Sequence, residues 1–127
     1  MIRWPFFAML LCCASPIVLA EDQTYSPEYS GCTARAGDVT TDVLQCIAAE
    51  TSRQDARLNE TYRTLRGQLH NGRRTELVAA QRLWMQYRDA NCRFHNYPDG
   101  GSPAAIHSAS CVLRMTTERA AELEDLI

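Results

Sequence analysis

The chain has 127 residues, and its 13 arginines, with no lysine, stand against 15 acidic residues, so the formal net charge at pH 7 is −2. So small a charge argues against a nucleic-acid-binding protein, which usually concentrates basic residues on one face. The length suffices for one domain and is too short for two once an N-terminal signal is set aside. A domain of this size buries a modest core, and disulfide bonds would help to stabilise it.

Residues 1–20 have the pattern of a secretory signal peptide. Arg3 gives the positive start, an apolar run covers 6–13, and Ala20 is the small residue after which cleavage is expected. The apolar run is too short to span a bilayer. Cys12 offers a lipoprotein alternative, but the residue before it is not small. We therefore expect a mature protein in the periplasm or outside the cell, without stable membrane insertion.

Four cysteines remain after the predicted cleavage: Cys32, Cys46, Cys92 and Cys111. An even number in a small exported domain indicates two disulfides, for which three pairings exist. We favour the pairs that are closest in sequence, Cys32–Cys46 and Cys92–Cys111. Each would stabilise the fold by about 3 kcal/mol through the entropy of the unfolded loop.

A structural zinc site is the alternative for two of these cysteines. Cys92 and His95, followed by His107 and Cys111, have a spacing that resembles that of zinc ligands. In an oxidising compartment the two thiols would join each other more readily than bind a metal. We therefore predict neither a metal nor another cofactor.

The segments along the chain indicate one N-terminal arm and three helices. Residues 21–37 are rich in small and polar residues without an apolar period, which predicts an extended arm, and 38–127 form the helical domain. The first helix starts at 40–42, and its end is predicted at Asn71-Gly72. Its apolar stripe consists of Val43, Ile47, Leu58, Tyr62, Leu65 and Leu69.

The second helix is predicted from about Thr75 to Phe94, and the third runs from Pro103 to the C-terminus. Residues 96–103, NYPDGGSP, form the loop between them. No strand pattern is present in the sequence. The fold prediction is all-α: a small disulfide-stapled bundle of three helices built on an antiparallel helical hairpin.

A tight turn near Gly72 would place the first two helices side by side. Their facing side chains would then form a polar and aromatic seam with an Asp55–Arg88 ion pair. Its predicted members are Asp55, Asn59, Tyr62, Gln81, Trp84 and Arg88. Such a seam is either a binding or catalytic cluster or a network that fixes helix register. We favour the structural interpretation and predict no catalytic residue, because a closed hairpin has no cleft.

A longer pattern includes the stretch Gln81-Arg82-x-Trp84-x-x-Tyr87-Arg88-Asp89-x-x-Cys92. Its other members are Cys46, Asp55, Leu58, Asn59, Tyr62, Ala80, Gly100, Gly101, Ser102, Cys111, Thr116 or Thr117, and Arg119. Over about residues 32–126 this pattern resembles the LprI-like lysozyme-inhibitor domain family, whose members are bacterial, exported, helical and cysteine-paired. The resemblance implies a non-enzymatic protein that binds and inhibits a lysozyme or a related peptidoglycan-lytic enzyme.

The loop between the second and third helices is the candidate partner-binding segment, with Tyr97, Asp99, Gly100 and Gly101 as its proposed residues. Lysozymes cleave glycans with two carboxyl groups that flank a cleft, and a rigid loop could fill that cleft. A Cys92–Cys111 bond would close the base of the loop and lower the entropic cost of binding. The alternatives are a loop without a binding role and, for the whole protein, a non-inhibitory periplasmic structural or interaction module.

Overall fold

The computed structural model describes residues 24–127, so the predicted signal peptide and its cleavage site lie outside the described residues. Four α-helices make up this part of the chain, and no strand occurs in it. The helices are α1 (Pro27–Ala36), α2 (Thr40–Gln68), α3 (Asn71–Phe94) and α4 (Gly101–Glu124), with a 3₁₀ turn at Pro98–Gly100. The all-α prediction is confirmed over 24–127, but the helices number four rather than three.

Helix α1 lies in the segment that was expected to be an extended arm, so that expectation is wrong for Pro27–Ala36. The side chain of Ser26 accepts a hydrogen bond from the N–H of Tyr29 at 3.2 Å, and Pro27 occupies the first helical position. Gly37, with φ of +53°, ends the helix. Only Ala36 of α1 is buried. Because α1 buries only one residue, its sequence shows no apolar period, although its capping residues are present.

The turn between α2 and α3 is shorter than predicted and consists of Leu69 and His70, both in extended conformations. Asn71 and Gly72 begin α3 instead of ending α2. The last carbonyls of α2 are bound by Arg74, whose Nε donates to Arg66 O at 3.2 Å and whose Nη2 donates to Leu69 O at 3.0 Å. A side chain thus satisfies the carbonyls that a glycine cap often satisfies.

Helix α4 is the centre of the bundle. It packs along α2 and also against α3, whereas α2 and α3 approach each other closely at few points. Three helices contribute to one apolar cluster of the core, which consists of Leu58, Leu65, Leu77, Ala120 and Leu123. Helices α2 and α3 therefore do not form the predicted hairpin of directly paired helices. The inward face of α3 instead packs against α4, where the fully buried Ala120 allows the helices to approach closely.

Candidate functional site

The polar and aromatic seam lies between α3 and α4. Trp84 of α3 is flanked by two guanidinium groups, with Cζ of Arg88 5.0 Å and Cζ of Arg119 6.0 Å from its ring centroid. Nε of Arg119 donates to Oε1 of Gln81 at 3.0 Å, and Nη1 of Arg88 lies 3.5 Å from Oγ1 of Thr116. Cation–π contacts of this kind contribute about 0.5–2 kcal/mol each. The seam therefore fixes how α3 lies on α4.

The Asp55–Arg88 ion pair is absent, and this prediction is wrong. Arg88 binds its neighbour Asp89, with 2.8 Å between Nη2 and Oδ1. Asp55 is exposed on α2 and accepts a hydrogen bond from Nδ2 of Asn59 at 3.0 Å. Tyr62 packs against the leucine core instead of joining the polar groups. The physical reason is the position of α4, which takes the place beside α3 that the sequence argument gave to α2.

The seam has the properties of a structural network. Within residues 24–127, every buried side-chain nitrogen or oxygen atom has a hydrogen-bond partner. No buried donor or acceptor of the seam is therefore left directed at a ligand, and Gln81 and Arg119 are bonded to each other across it.

A second polar cluster, around Glu50, joins α1 to α2. The side chain of Glu50 is 0% exposed. One of its oxygens accepts from the N–H of Ser26 at 2.9 Å and from Nε2 of Gln54 at 2.8 Å, and the other accepts from the Ser26 hydroxyl. Burial alone would raise the pKa of Glu50, but these hydrogen bonds and the nearby Arg53 hold that pKa below its ordinary value. The carboxylate thus anchors the start of α1.

Sequence reasoning missed this cluster, although a signal was present. Along the apolar stripe of α2, the positions between Ile47 and Leu58 that fall on the same face are Glu50 and Gln54. Two polar residues inside an apolar stripe indicate buried groups that need partners. The partner is Ser26, which lies in the segment that was predicted to be extended.

The two disulfides pair the cysteines that are closest in sequence, as predicted. The Cα–Cα distances are 5.7 Å for Cys32–Cys46 and 5.4 Å for Cys92–Cys111. The first bond ties α1 to α2, and the second ties the end of α3 to α4. The zinc interpretation is contradicted for Cys92 and Cys111, because joined thiols are not free to bind metal. Within residues 24–127, no three or more His, Cys, Asp or Glu side chains are grouped so that they could hold a metal ion.

The loop that the Cys92–Cys111 bond closes has a defined shape. The N–H of Gly100 donates to Tyr97 O at 3.1 Å across the 3₁₀ turn. A Cβ atom on Gly100 would meet the Tyr97 ring at 2.6 Å and would also collide with Ala104. Gly101 adopts φ of +54°, which favours glycine. Both glycines are therefore required for the shape of the loop, and Tyr97, 55% exposed, and Asp99 project from it.

A shallow cleft of about 350 Å³ lies beside this loop, on the side of α4. Its lining consists of Tyr25, His95, His107, Ser110, Cys111 and Arg114. Arg114 is bound to Glu118 by two contacts of 2.9 and 3.0 Å. The loop and this cleft lie along the first half of α4, on either side of the disulfide that joins Cys111 to the end of α3.

These features define a class of protein: a small helical bundle held by two disulfides, with a stapled loop. None of the helices within residues 24–127 combines the length and hydropathy needed to cross a membrane. The sequence model described as "Lysozyme inhibitor LprI" matches residues 32–123, so the chain belongs to the LprI family. An uncharacterized protein of Rhizobium meliloti (strain 1021) is 28% identical over 97% of this chain and 93% of its own length. No solved structure matches the chain.

Proposed function

We propose that the mature protein binds and inhibits a lysozyme or a related cell-wall lytic enzyme, after export and cleavage near Ala20. The observation that carries this proposal is membership of the lysozyme-inhibitor LprI family over residues 32–123. The two disulfides agree with an oxidising compartment, the periplasm or the cell exterior. The role is that of a binding protein without catalytic residues of its own.

The stapled loop is the proposed inhibitory segment. Tyr97 is a half-exposed aromatic side chain held in place by its contact with Gly100, and aromatic anchors of this kind are frequent hot spots of binding. The bond between Cys92 and Cys111 holds the end of α3, from which the loop leaves, against α4 at a point ten residues after that helix begins. Little conformational entropy would then be lost when the loop enters an enzyme cleft.

The charges at the base of the loop suit such a cleft. The catalytic carboxylates of a lysozyme would be met best by a cation, and Arg93 is exposed on the last turn of α3 without an ion-pair partner among the described residues. Asp99 would meet basic groups at the rim of the enzyme. Charges at a rim act mainly on the rate of association and on specificity.

The test is the lysis of bacterial cell walls by lysozymes of several types, followed by turbidity, with the mature protein (21–127) in excess. We expect lysis to slow with at least one enzyme. Tyr97→Ala combined with Asp99→Ala should weaken inhibition by about tenfold or more, as loss of a hot spot does. Tyr87→Ala is the matched control, since Tyr87 is an exposed tyrosine on α3 outside the loop.

Two outcomes would contradict parts of this proposal. Unchanged lysis with every enzyme tested would favour the alternative, a periplasmic structural or interaction module without inhibitory activity. Inhibition that survives the loop substitutions and is lost with Tyr87→Ala would retain the function and move the binding site from the loop to α3.

A further inference from the structure

A cleft beside the turn between α2 and α3 is lined by three arginines and one glycine. Its volume is about 390 Å³, and its lining consists of Arg63, Arg66, Gly67 and Arg74. Residues 61–75 contain four arginines and no acidic residue, although the whole chain has a net charge of −2. Positive charge that is gathered around one open space attracts anions. The cleft is therefore a candidate anion-binding site.

Two of the three guanidinium groups have no carboxylate partner among the described residues. Arg66 is exposed, and its side chain forms neither an ion pair nor a hydrogen bond with them. Nε and Nη2 of Arg74 donate to the carbonyls of Arg66 and Leu69 at 3.2 and 3.0 Å, which holds this guanidinium group in place. The third group belongs to Arg63, whose Nη2 donates to Oε2 of Glu60 at 2.6 Å. The cleft thus contains one fixed and one unpaired cation that an anion could bind.

Gly67 keeps the space between these arginines open. It lies in the last turn of α2, where glycine weakens the helix. Among the described glycines, only Gly37 and Gly101 adopt a positive φ, so the backbone conformation does not require glycine at position 67. Packing does not require it either, since a Cβ atom added there would have no atom within 4 Å beyond its chain neighbours and its own helix backbone. The glycine instead leaves room for a ligand between the guanidinium groups.

We propose that this cleft binds phosphate groups, either of a soluble compound or of a phospholipid headgroup. A single guanidinium group can satisfy both oxygens of a carboxylate, which lie in one plane with its carbon. A phosphate group has more oxygens, directed to the corners of a tetrahedron, and can accept from several guanidinium groups around it. The guanidinium group of Arg74 also neutralises the negative end of α2, where it binds two carbonyls. The proposal is independent of lysozyme inhibition, because the cleft and the loop with Tyr97 and Asp99 lie at opposite ends of α3.

The first test is isothermal titration calorimetry of the mature protein with sodium diphosphate up to about 10 mM at low ionic strength, where exposed charges are least screened. We expect diphosphate to bind and added NaCl to weaken its binding. Arg66→Gln should weaken binding about tenfold, because charge-assisted hydrogen bonds to the anion are lost. Arg82→Gln is the matched control and should bind like the wild type, since Arg82 is an exposed arginine of α3 outside the cleft, likewise without an ion-pair partner among the described residues.

The second test fills the cleft with a side chain of the protein itself. Gly67→Glu would place a carboxylate between the guanidinium groups, and Gly67→Gln would place a neutral group of nearly the same shape there. Both substitutions replace a glycine inside a helix, so we expect the fold to be kept, which circular dichroism checks. Gly67→Glu should bind diphosphate about tenfold more weakly than Gly67→Gln, because its carboxylate competes for the same donors. Equal affinities of the two variants would contradict binding in this cleft.

Cosedimentation with phosphatidylglycerol vesicles separates the two sources of the phosphate group. Cosedimentation that is reduced both by Arg66→Gln and by added diphosphate would support the proposal and assign the site to a lipid headgroup. Binding of diphosphate without cosedimentation would support it equally and assign the site to a soluble phosphate compound.

Three results would overturn the proposal. The first is the absence of diphosphate binding, whether or not the protein attaches to vesicles. The second is an equal loss of affinity in Arg66→Gln and Arg82→Gln, which would indicate a general effect of net charge. The third is binding of tricarballylate, a tricarboxylate of similar charge, as tightly as diphosphate, because the cleft would then not distinguish phosphate from carboxylate.

Discussion

At the scale of single residues, Gly100 controls the shape of the loop. Gly100→Ala forces a methyl group against Tyr97 and Ala104, and we expect the free energy of unfolding to fall by about 1–3 kcal/mol. Gly67→Ala is the matched control, since its added Cβ would have no atom within 4 Å beyond its chain neighbours and its own helix backbone, and α2 should gain up to about 1 kcal/mol. Urea unfolding of both variants measures the difference. Equal effects of the two substitutions would mean that the loop rearranges freely around Tyr97.

Glu50 makes the stability of the fold depend on pH in the acid range. Because its hydrogen bonds hold the pKa of the folded carboxyl below the ordinary value, the carboxylate stabilises the fold above about pH 4.3, the usual pKa of glutamate in an unfolded chain. That contribution is lost as the pH falls through the lower pKa of the folded state. Glu50→Gln should therefore cost about 2 kcal/mol at pH 7 and flatten the loss of stability below about pH 4.5.

The measurement for Glu50 is urea unfolding of both proteins at a series of pH values from neutral to acid. Glu60→Gln is the control, because Glu60 is 71% exposed and forms an ion pair with Arg63, one turn further along α2. We expect Glu60→Gln to change stability at pH 7 by less than about 0.5 kcal/mol. If the free energy of unfolding falls equally steeply with decreasing pH in the wild type and in Glu50→Gln, the proposed role of the buried carboxylate is contradicted.

At the scale of elements, the seam of α3 and α4 replaces the predicted seam of α2 and α3. Arg88→Ala removes the guanidinium over Trp84 and should lower the free energy of unfolding by about 1–2 kcal/mol. Asp55→Ala should change it by less than about 0.5 kcal/mol, because Asp55 is exposed. The double variant should be additive. A coupling energy above about 1 kcal/mol between the two substitutions would instead indicate that Asp55 and Arg88 contact each other, as the sequence predicted.

Periodicity and capping residues were enough to predict the three long helices, and closeness in sequence was enough to predict the disulfide pairs. Helix α1 was missed because a helix that buries only Ala36 has no apolar period to detect, although Ser26 and Gly37 are good capping residues. Glu50 was missed because its partner Ser26 comes from that same segment. Patterns among neighbouring residues therefore predict a helix well when one face of that helix is buried, as in the three long helices, and poorly when almost none of it is buried, as in α1.

The packing of the helices was harder to predict than their positions. A tight turn makes α2 and α3 antiparallel, but it does not determine whether they touch along their length or separate around a third helix. The stripe that contains Gln81, Trp84 and Arg88 is compatible with either neighbour. The inward residues of α4, such as Thr116 and Arg119, supply the partners. The proposed loop with Tyr97 and Asp99 remains a prediction about a partner that the chain alone does not contain.

At the scale of the whole molecule, the two disulfides close loops of similar length, with sequence separations of 14 and 19 residues. Replacing either pair by alanine should therefore cost a similar amount, about 3 kcal/mol, which a domain with a total stability of about 5–15 kcal/mol can tolerate. Their positions differ, since Cys32–Cys46 holds α1 and Cys92–Cys111 closes the loop that carries Tyr97.

The two pairs should consequently have different effects on inhibition. We expect the Cys92→Ala/Cys111→Ala variant to inhibit lysis at least about tenfold more weakly, because the loop must be ordered on binding. The Cys32→Ala/Cys46→Ala variant, matched in its cost to folding, should retain inhibition at temperatures at which both variants are folded. Urea unfolding and the turbidity assay on the same samples separate stability from activity. Equal losses of inhibition would show that the second disulfide acts through general stability and would remove the argument for a preorganised loop.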